Sequence, residues 1–440
     1  MNIQKIAYLL LITMSLSNIA FCGLSEHLPM IGNEKEVVRD AQTGNDIIFL
    51  TTGKYINSTQ YPHNKAWLEN DKYIMFESTR PRPQGKSTGD GSDYRHVERQ
   101  LCAADINTGD IYHLASLEVE DTAKYGENHL SMSSQYHSDY APGSNVVVYY
   151  DMTGHNLYML DLDDGHRKLL WNVKVGTIGD PPSITDDGSR VVVYVAIPGP
   201  DNGEFFSGRT TAVFYIDLDP ETNEIVSGPK VVTTWTHRTE QSNPKSANGI
   251  NLTHSVINPV NKEELIFCHG YPGYTDGSVE KARTWYAKTD GSEVKMANLT
   301  EKGWIETHEL WGPKGRLVYF IKIRGNGGIS AVEPRTGKVI DLIKDIAPRC
   351  LHLSVSGNEK RFVFDTQRST VEFPLDEYQN HMEDIVLFDL TTGKTKVLAH
   401  QLEGLHHPRQ MHPGINRNGD KVYFTVADGP HSRAAYLNID

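Results

Sequence analysis

The sequence predicts an all-β fold, and three observations carry the prediction: recurring aromatics that close short apolar strands, a turn motif that follows them, and a displaced copy of that turn near the N-terminus. Phe76, Tyr149, Tyr194, Phe267, Phe320, Phe364 and Phe424 each close such a strand, at intervals of 44 to 73 residues. After most of them an alternating strand runs into Asp and a Thr-Gly or Asp-Gly turn, at residues 104–109, 157–165 and 386–393. Looser copies lie at 215–218, 286–291 and 332–337. Strand, turn, strand, Asp-x-x-Thr-Gly, strand at this period is how a four-stranded propeller blade reads in sequence. Seven aromatics give a seven-bladed β-propeller. No long amphipathic helical stretch competes with it.

The two ends of the chain complement each other. The C-terminal strand at 435–439 stops where an Asp-x-x-Thr-Gly turn should follow, and Asp40-Ala41-Gln42-Thr43-Gly44 with the strand at 47–50 supplies the missing turn and outer strand. The ring is therefore predicted to close by the N-terminal strand pairing into the last blade, which hides the edges that an open sheet array exposes.

Residues 23–440 suffice for one propeller domain, with no linker or low-complexity tract to mark a second. Residues 1–22 carry Lys5 and then an apolar run on to Ala20, which reads as a signal peptide and is too short to span a membrane. An exported protein, periplasmic or secreted, is expected. Cys22 stands where a lipid anchor would attach, but the bulky Phe21 before it argues against one. Cys102, Cys268 and Cys350 remain, an odd and irregularly spaced set, so disulfides are not expected to hold the fold. The formal charge of −13 excludes general attraction to nucleic acid or other polyanions. An anionic ligand would need positive charge supplied locally, by arginines or a metal ion.

Histidine placement is the strongest functional signal. His137, His308, His352 and His412 each lie twelve residues before a strand-closing aromatic, and His63 and His254 lie thirteen before theirs, in a chain with 19 histidines among 440 residues. The start of each innermost strand faces one mouth of a propeller, so six blades are expected to aim an imidazole there. The densest group is His406-His407-Pro408-Arg409-Gln410-Met411-His412. Gln410 and His412, two apart at the start of a strand, should leave the same face. His407 can fold onto them from the loop, and His352 begins the adjacent blade at the same depth. Three imidazoles and an amide oxygen suit a divalent ion such as Mn²⁺, Fe²⁺, Ni²⁺ or Zn²⁺. The rival reading is a set of hydrogen-bonded histidines at a wet mouth.

The stretches Leu265-Ile266-Phe267-Cys268-His269-Gly270, Ala282-Arg283-Thr284-Trp285, Thr307-His308-Glu309-Leu310-Trp311, Cys350-Leu351-His352-Leu353 and the 407–412 cluster resemble, in that order, the oligogalacturonate lyases of polysaccharide lyase family 22. The resemblance is good over roughly residues 250–440 and architectural before that. It implies a seven-bladed propeller with Mn²⁺ at its mouth that cleaves acidic oligosaccharides, oligogalacturonides or a related uronate, by β-elimination. It implies His308 as general base, Arg283 as the arginine beside it, and His352, His407, Gln410 and His412 as metal ligands. His254, His269 and His137 are further candidates for touching the sugar. The family's last ligand group runs Gln, His, His, whereas this chain has His407, Gln410 and His412, so two ligands have exchanged type. Relatives with this activity are commonly cytoplasmic, so an exported one is expected to meet a different or longer uronate.

The chemistry calls for these residue types. β-Elimination removes the weakly acidic proton on the carbon that bears the carboxylate. A divalent ion neutralises that carboxylate, an arginine clamps it bidentately, and a histidine near neutral pKa takes the proton. The competing class is a non-catalytic periplasmic propeller that binds a protein or a saccharide, which needs neither clustered ligands nor a base beside an arginine. A peptidase propeller is excluded because no Gly-x-Ser-x-Gly elbow follows the last blade.

Overall fold

The computed structural model describes residues 24–81, 99–117, 137–197, 210–236, 252–269, 283–297, 306–322, 327–344, 349–367, 381–404 and 410–439. They form seven antiparallel sheets arranged as propeller blades. Blade four is typical: Leu252–Ile257, Glu264–His269, Thr284–Lys288 and Val294–Met296 follow one another from the axis outwards. Blades two, five and six begin with Ser138–Ala141, Glu306–Trp311 and Arg349–Val355 and have the same simple order.

The sheets stack through apolar side chains. Val146–Tyr150, second in its blade, is buried at every residue because both faces lie against neighbouring blades. Phe362, Phe364, Val386 and Phe388 of blade six share one cluster with Leu310, Tyr319 and Ile329 of blade five. The expected aromatics Phe76, Tyr149, Phe267, Phe320, Phe364 and Phe424 are among the largest fully buried side chains.

The Asp turns owe their sequence to local chemistry. Asp105 Oδ1 accepts the backbone N–H of Asn107 and Thr108, and Gly109 closes the turn onto Asp105 O at 2.8 Å with φ 83°. Asp389 and Gly393 repeat it. A positive φ is the reason for glycine at the end of the motif.

The last sheet joins two strands from near the N-terminus to the C-terminal strands. Its order outwards is Gly414–Ile415, Lys421–Asp428, His431–Asn438, Asp46–Phe49 and Glu36–Arg39, with Ile48 opposite Tyr436 and Phe49 opposite Ala435. One detail differs from the sequence reading. The Asp40 turn was expected to lead straight from the third strand to the outer one. It joins the two N-terminal strands to each other instead, so the blade has five strands. A further N-terminal strand, Met30–Asn33, adds outside blade one against Asp110–Leu117. Cys102, Cys268 and Cys350 are buried free thiols. No helix among the described residues is long and apolar enough to cross a membrane.

Candidate functional site

Register irregularities at one end of the innermost strands build the site. In blade four Thr253 pairs with Cys268 and Val256 with Ile266, three steps against two, so one extra residue bulges out. The same bulge recurs in blade five between Thr307 and Leu310, and in blade six between Cys350 and Leu353. A bulge re-aims a side chain, and His254, His308 and His352 occupy these three. His254 and His308 hold φ of 49° and 56°, and His412 of blade seven holds 43°. Such backbone is rare outside glycine and clusters at functional sites.

Blade one does this on a larger scale. Thr59 pairs with Phe76 and Trp67 with Ile74, so eight steps of the innermost chain face two of its neighbour. The excess, residues 60–66, leaves the strand and carries Tyr61 and His63. The Tyr61 ring lies 4.6 Å from His63, 5.2 Å from His412, 5.9 Å from His254, 6.0 Å from His308 and 6.1 Å from His352, between centroids. His308 and His352 are 4.4 Å apart, His352 and His412 4.1 Å. Five imidazoles from five blades therefore surround one phenol.

Carboxylates stand behind this ring. Asp365 Oδ1 accepts His352 N–H at 2.6 Å and Asp365 Oδ2 accepts His352 Nδ1–H at 2.7 Å, all within the buried interior. The proton is thereby fixed on Nδ1 and the Nε2 lone pair is left outward. Nε2 is buried with no hydrogen-bond partner among the described residues, and so is Gln410 Oε1. Burial, and secondarily the charge of Asp365, hold the nearby Glu383 carboxyl well above its ordinary pKa. On the other side of the ring Arg283 Nε donates to Glu309 Oε1 at 2.7 Å, and Cys268 Sγ donates to Glu309 Oε2 at 3.2 Å. Burial alone would raise the Glu309 carboxyl, but the Arg283 guanidinium leads the interactions that hold it below its ordinary value. Burial also works against the Arg283 charge, but its interactions with Cys268 and the Glu309 carboxylate outweigh it and raise the Arg283 pKa above its ordinary value. His254 N–H donates to Asp180 Oδ2 at 2.7 Å from blade three, the blade with no histidine in the register. Burial, with His254 adding to it, pushes His63 well below the ordinary imidazole pKa.

Of the expected site residues, the structure brings His308, His352, His412 and His254 together, and links Arg283 to them through Glu309, the neighbour of His308. His407 lies outside the described residues, and His269 is described in its backbone alone. His137 is set apart: its blade continues as a regular ladder, with Tyr149 opposite Ser138 and Tyr150 N–H bonded to His137 O, so no bulge turns it inwards. It meets Glu77 instead, with Nδ1 3.0 Å from Oε1. The expectation that Gln410 and His412 share one face of a strand also needs correction. The innermost strand starts only at Gly414, and the left-handed backbone of His412 breaks the alternation.

Tyr61, Glu309, Asp180 and Asp365 were not foreseen. Tyr61 has no periodic signal. Asp365 had one, since it follows the strand-closing Phe364 as Glu77 follows Phe76. Among the described residues no group of three or more His, Cys, Asp or Glu side chains is arranged to hold a metal. Of the expected ligands, His352, Gln410 and His412 lie among the described residues, and they offer imidazole nitrogen and amide oxygen. A carboxylate that fixes the other nitrogen of a histidine is the usual second-layer support of a metal ligand. Nitrogen and oxygen donors of this kind fit a borderline divalent ion.

Known proteins resemble this chain in sequence and in fold. The model of the oligogalacturonate lyase family matches residues 236–438. An oligogalacturonide lyase of Pectobacterium atrosepticum is 22% identical over 412 residues, 91% of this chain and 94% of that protein. An oligogalacturonate lyase of Dickeya dadantii is 28% identical over 197 residues, 42% of this chain and 49% of its own. Among solved structures, an oligogalacturonate lyase in complex with manganese superimposes with a TM-score of 0.69 at 16% identity, covering 94% of this chain and 98% of that one. The oligogalacturonate lyase of Vibrio parahaemolyticus gives 0.68 at 18% identity, covering 94% and 99%. These two likenesses establish the propeller fold.

Proposed function

We propose, from the premise that this chain is a lyase enzyme resembling the oligogalacturonate lyases, that it cleaves acidic oligosaccharides by metal-assisted β-elimination. Pectin-derived oligogalacturonides or a related uronate are the substrate class. The observation that carries the reading is the meeting of His308, His352 and His412, with ring steps of 4.4 and 4.1 Å, beside the buried Arg283–Glu309 pair.

Each group has a task in that reaction. Arg283, kept charged by Glu309, clamps the substrate carboxylate. His308 takes the proton from the carbon bearing the carboxylate. The electron pair left behind forms the double bond to the neighbouring carbon as its bond to the glycosidic oxygen breaks, and that oxygen leaves as a hydroxyl after gaining a proton from water. His352, His407, Gln410 and His412 would hold the divalent ion, with Mn²⁺ first in view of the manganese in the superimposed lyase. When bound, such an ion supplies charge neutralisation at the carboxylate, which makes the proton more acidic. Asp365 acts a step removed, by fixing the tautomer of His352. The leader at residues 1–22 accompanies an exported protein acting outside the cytoplasm.

Purified protein with Mn²⁺ should generate the ultraviolet absorbance of an unsaturated uronate from one member of a panel of uronate oligosaccharides. Arg283→Ala should weaken both substrate affinity and turnover, because its charge acts before and during the reaction. Saccharide binding without unsaturated product under any divalent metal would favour the binding-module alternative.

A further inference from the structure

We propose that Tyr61 is a positioning residue whose ring fixes the orientation of His308 relative to His352 and His412. It reaches the axis because residues 60–66 are extruded from the innermost strand of blade one, an insertion six residues larger than its partner strand requires. That segment is anchored around the axis. Asn64 Nδ2 donates to Pro182 O at 3.1 Å, Lys65 N–H to Asp139 Oδ1 at 2.7 Å and Lys65 Nζ to Ile184 O at 2.6 Å. Asn64 N–H closes onto Tyr61 O at 2.8 Å, and Met75 N–H returns the chain to its blade through Ala66 O at 2.8 Å. Blades two and three thus hold a segment that belongs to blade one.

Tyr61 itself is only 7% exposed, yet touches imidazoles from blades one, four, five, six and seven. His352 has a second restraint in Asp365. His254 and His308 start from left-handed backbone on a bulge, where the strand ladder itself does not determine the direction of the ring. A rigid aromatic face packed against them limits their rotamers, and a site is only as accurate as the packing that locks its side chains. Beyond residues 62–65 a cavity of about 1130 Å³ opens along the axis, walled by Trp67, Trp311, Tyr140 and Ile415. Without the Tyr61 ring, the imidazoles packed on it would have the vacated volume into which to turn.

The catalytic half of the inference rests on the lyase reading; the metal-binding half does not. Tyr61→Phe keeps the ring and removes the hydroxyl, whereas Tyr61→Leu and the more flexible Tyr61→Met fill space without a planar face. Mn²⁺ titration of metal-free protein, steady-state kinetics and thermal unfolding should be run on all three. Expected is rescue by Phe to within about twofold in both Mn²⁺ affinity and kcat. Leu and Met should lower kcat by about 10²-fold, the effect of a misplacement on the order of 1 Å, at little change in KM, and weaken Mn²⁺ binding. Equal damage from Phe and Leu would overturn the proposal, since the hydroxyl and not the ring would matter. A lowered melting temperature with kcat and Mn²⁺ affinity intact would also overturn it, by reducing Tyr61 to a packing residue. Should wild type form no unsaturated product while Mn²⁺ affinity still follows the Phe-versus-Leu pattern, the lyase reading fails and the positioning role stands.

Discussion

His352 and His137 have almost the same surroundings and different orientations. Each gives its backbone N–H and Nδ1–H to one carboxylate, Asp365 in blade six and Glu77 in blade one, and both pairs are fully buried. Each carboxylate follows a strand-closing phenylalanine. The difference lies in one residue of register. His352 sits in a bulge and stands 4.1 Å from His412, with its Nε2 buried and lacking a hydrogen-bond partner among the described residues. His137 continues a regular ladder, packs 4.7 Å from Tyr150, and shares Glu77 with the fully buried Arg99. The same histidine–carboxylate pair thus places an imidazole among the other ring histidines in one blade and joins a structural ion-pair network in the other.

The two pairs should break differently. The largest effect is expected from Glu77→Ala, which leaves the Arg99 charge buried without its carboxylate. It should cost about 3–5 kcal/mol in urea unfolding, with Mn²⁺ affinity of the remaining folded protein unchanged. Asp365→Asn should do the reverse, weakening Mn²⁺ binding about 10–100-fold with a smaller loss of stability. If Asp365→Asn destabilises the protein as much as Glu77→Ala and leaves Mn²⁺ binding alone, the distinction between the pairs is wrong.

A smaller effect separates them by pH. Burial would raise the Glu77 carboxyl, but His137 and Arg99 hold it below its ordinary value. Its contribution to stability is present above the unfolded-state pKa of about 4.3 and is lost as pH falls through the folded value. Glu383, beside Asp365, is held well above its ordinary value by burial first and by the Asp365 charge second. Unfolding then releases a proton, so its contribution is fully present below about pH 4.3 and declines as pH rises towards the folded pKa. Glu383→Gln should therefore stabilise the protein at pH 7 and have little effect near pH 4 in thermal unfolding. A Gln variant no more stable at pH 7 than at pH 4 would contradict the assignment.

Blade number and strand order were legible because buried aromatics and Asp turns are local, repeated demands of the fold. The histidine register was legible for the same reason, but its meaning was not. An interval of twelve residues fits both His137 and His308, because blade two closes its first hairpin from Ala141 to Val146 whereas blade five spans Trp311 to Val318. The turn has four residues in blade two and six in blade five, and the flanking strands make up the difference, so the interval alone does not reveal the bulge. Spacing along the chain cannot divide turn from bulge; pairing does. The insertion carrying Tyr61 was invisible for a related reason, since its length is evident only against the partner strand. The Arg283 partner Glu309 was hidden by adjacency to His308, where an alternating strand would send it to the opposite face.

We propose that the ring of imidazoles carries out β-elimination with His308 as base. The direct measurement is unsaturated-product formation by wild type and His308→Ala on the substrate selected from the uronate panel, alongside the metal content of both proteins. The account predicts that His308→Ala retains its metal and its substrate affinity while turnover falls by about 10²–10⁴-fold or more, the contribution typical of a general base. A His308→Ala protein that forms unsaturated product at near the wild-type rate contradicts it and moves the base elsewhere, to His254 first.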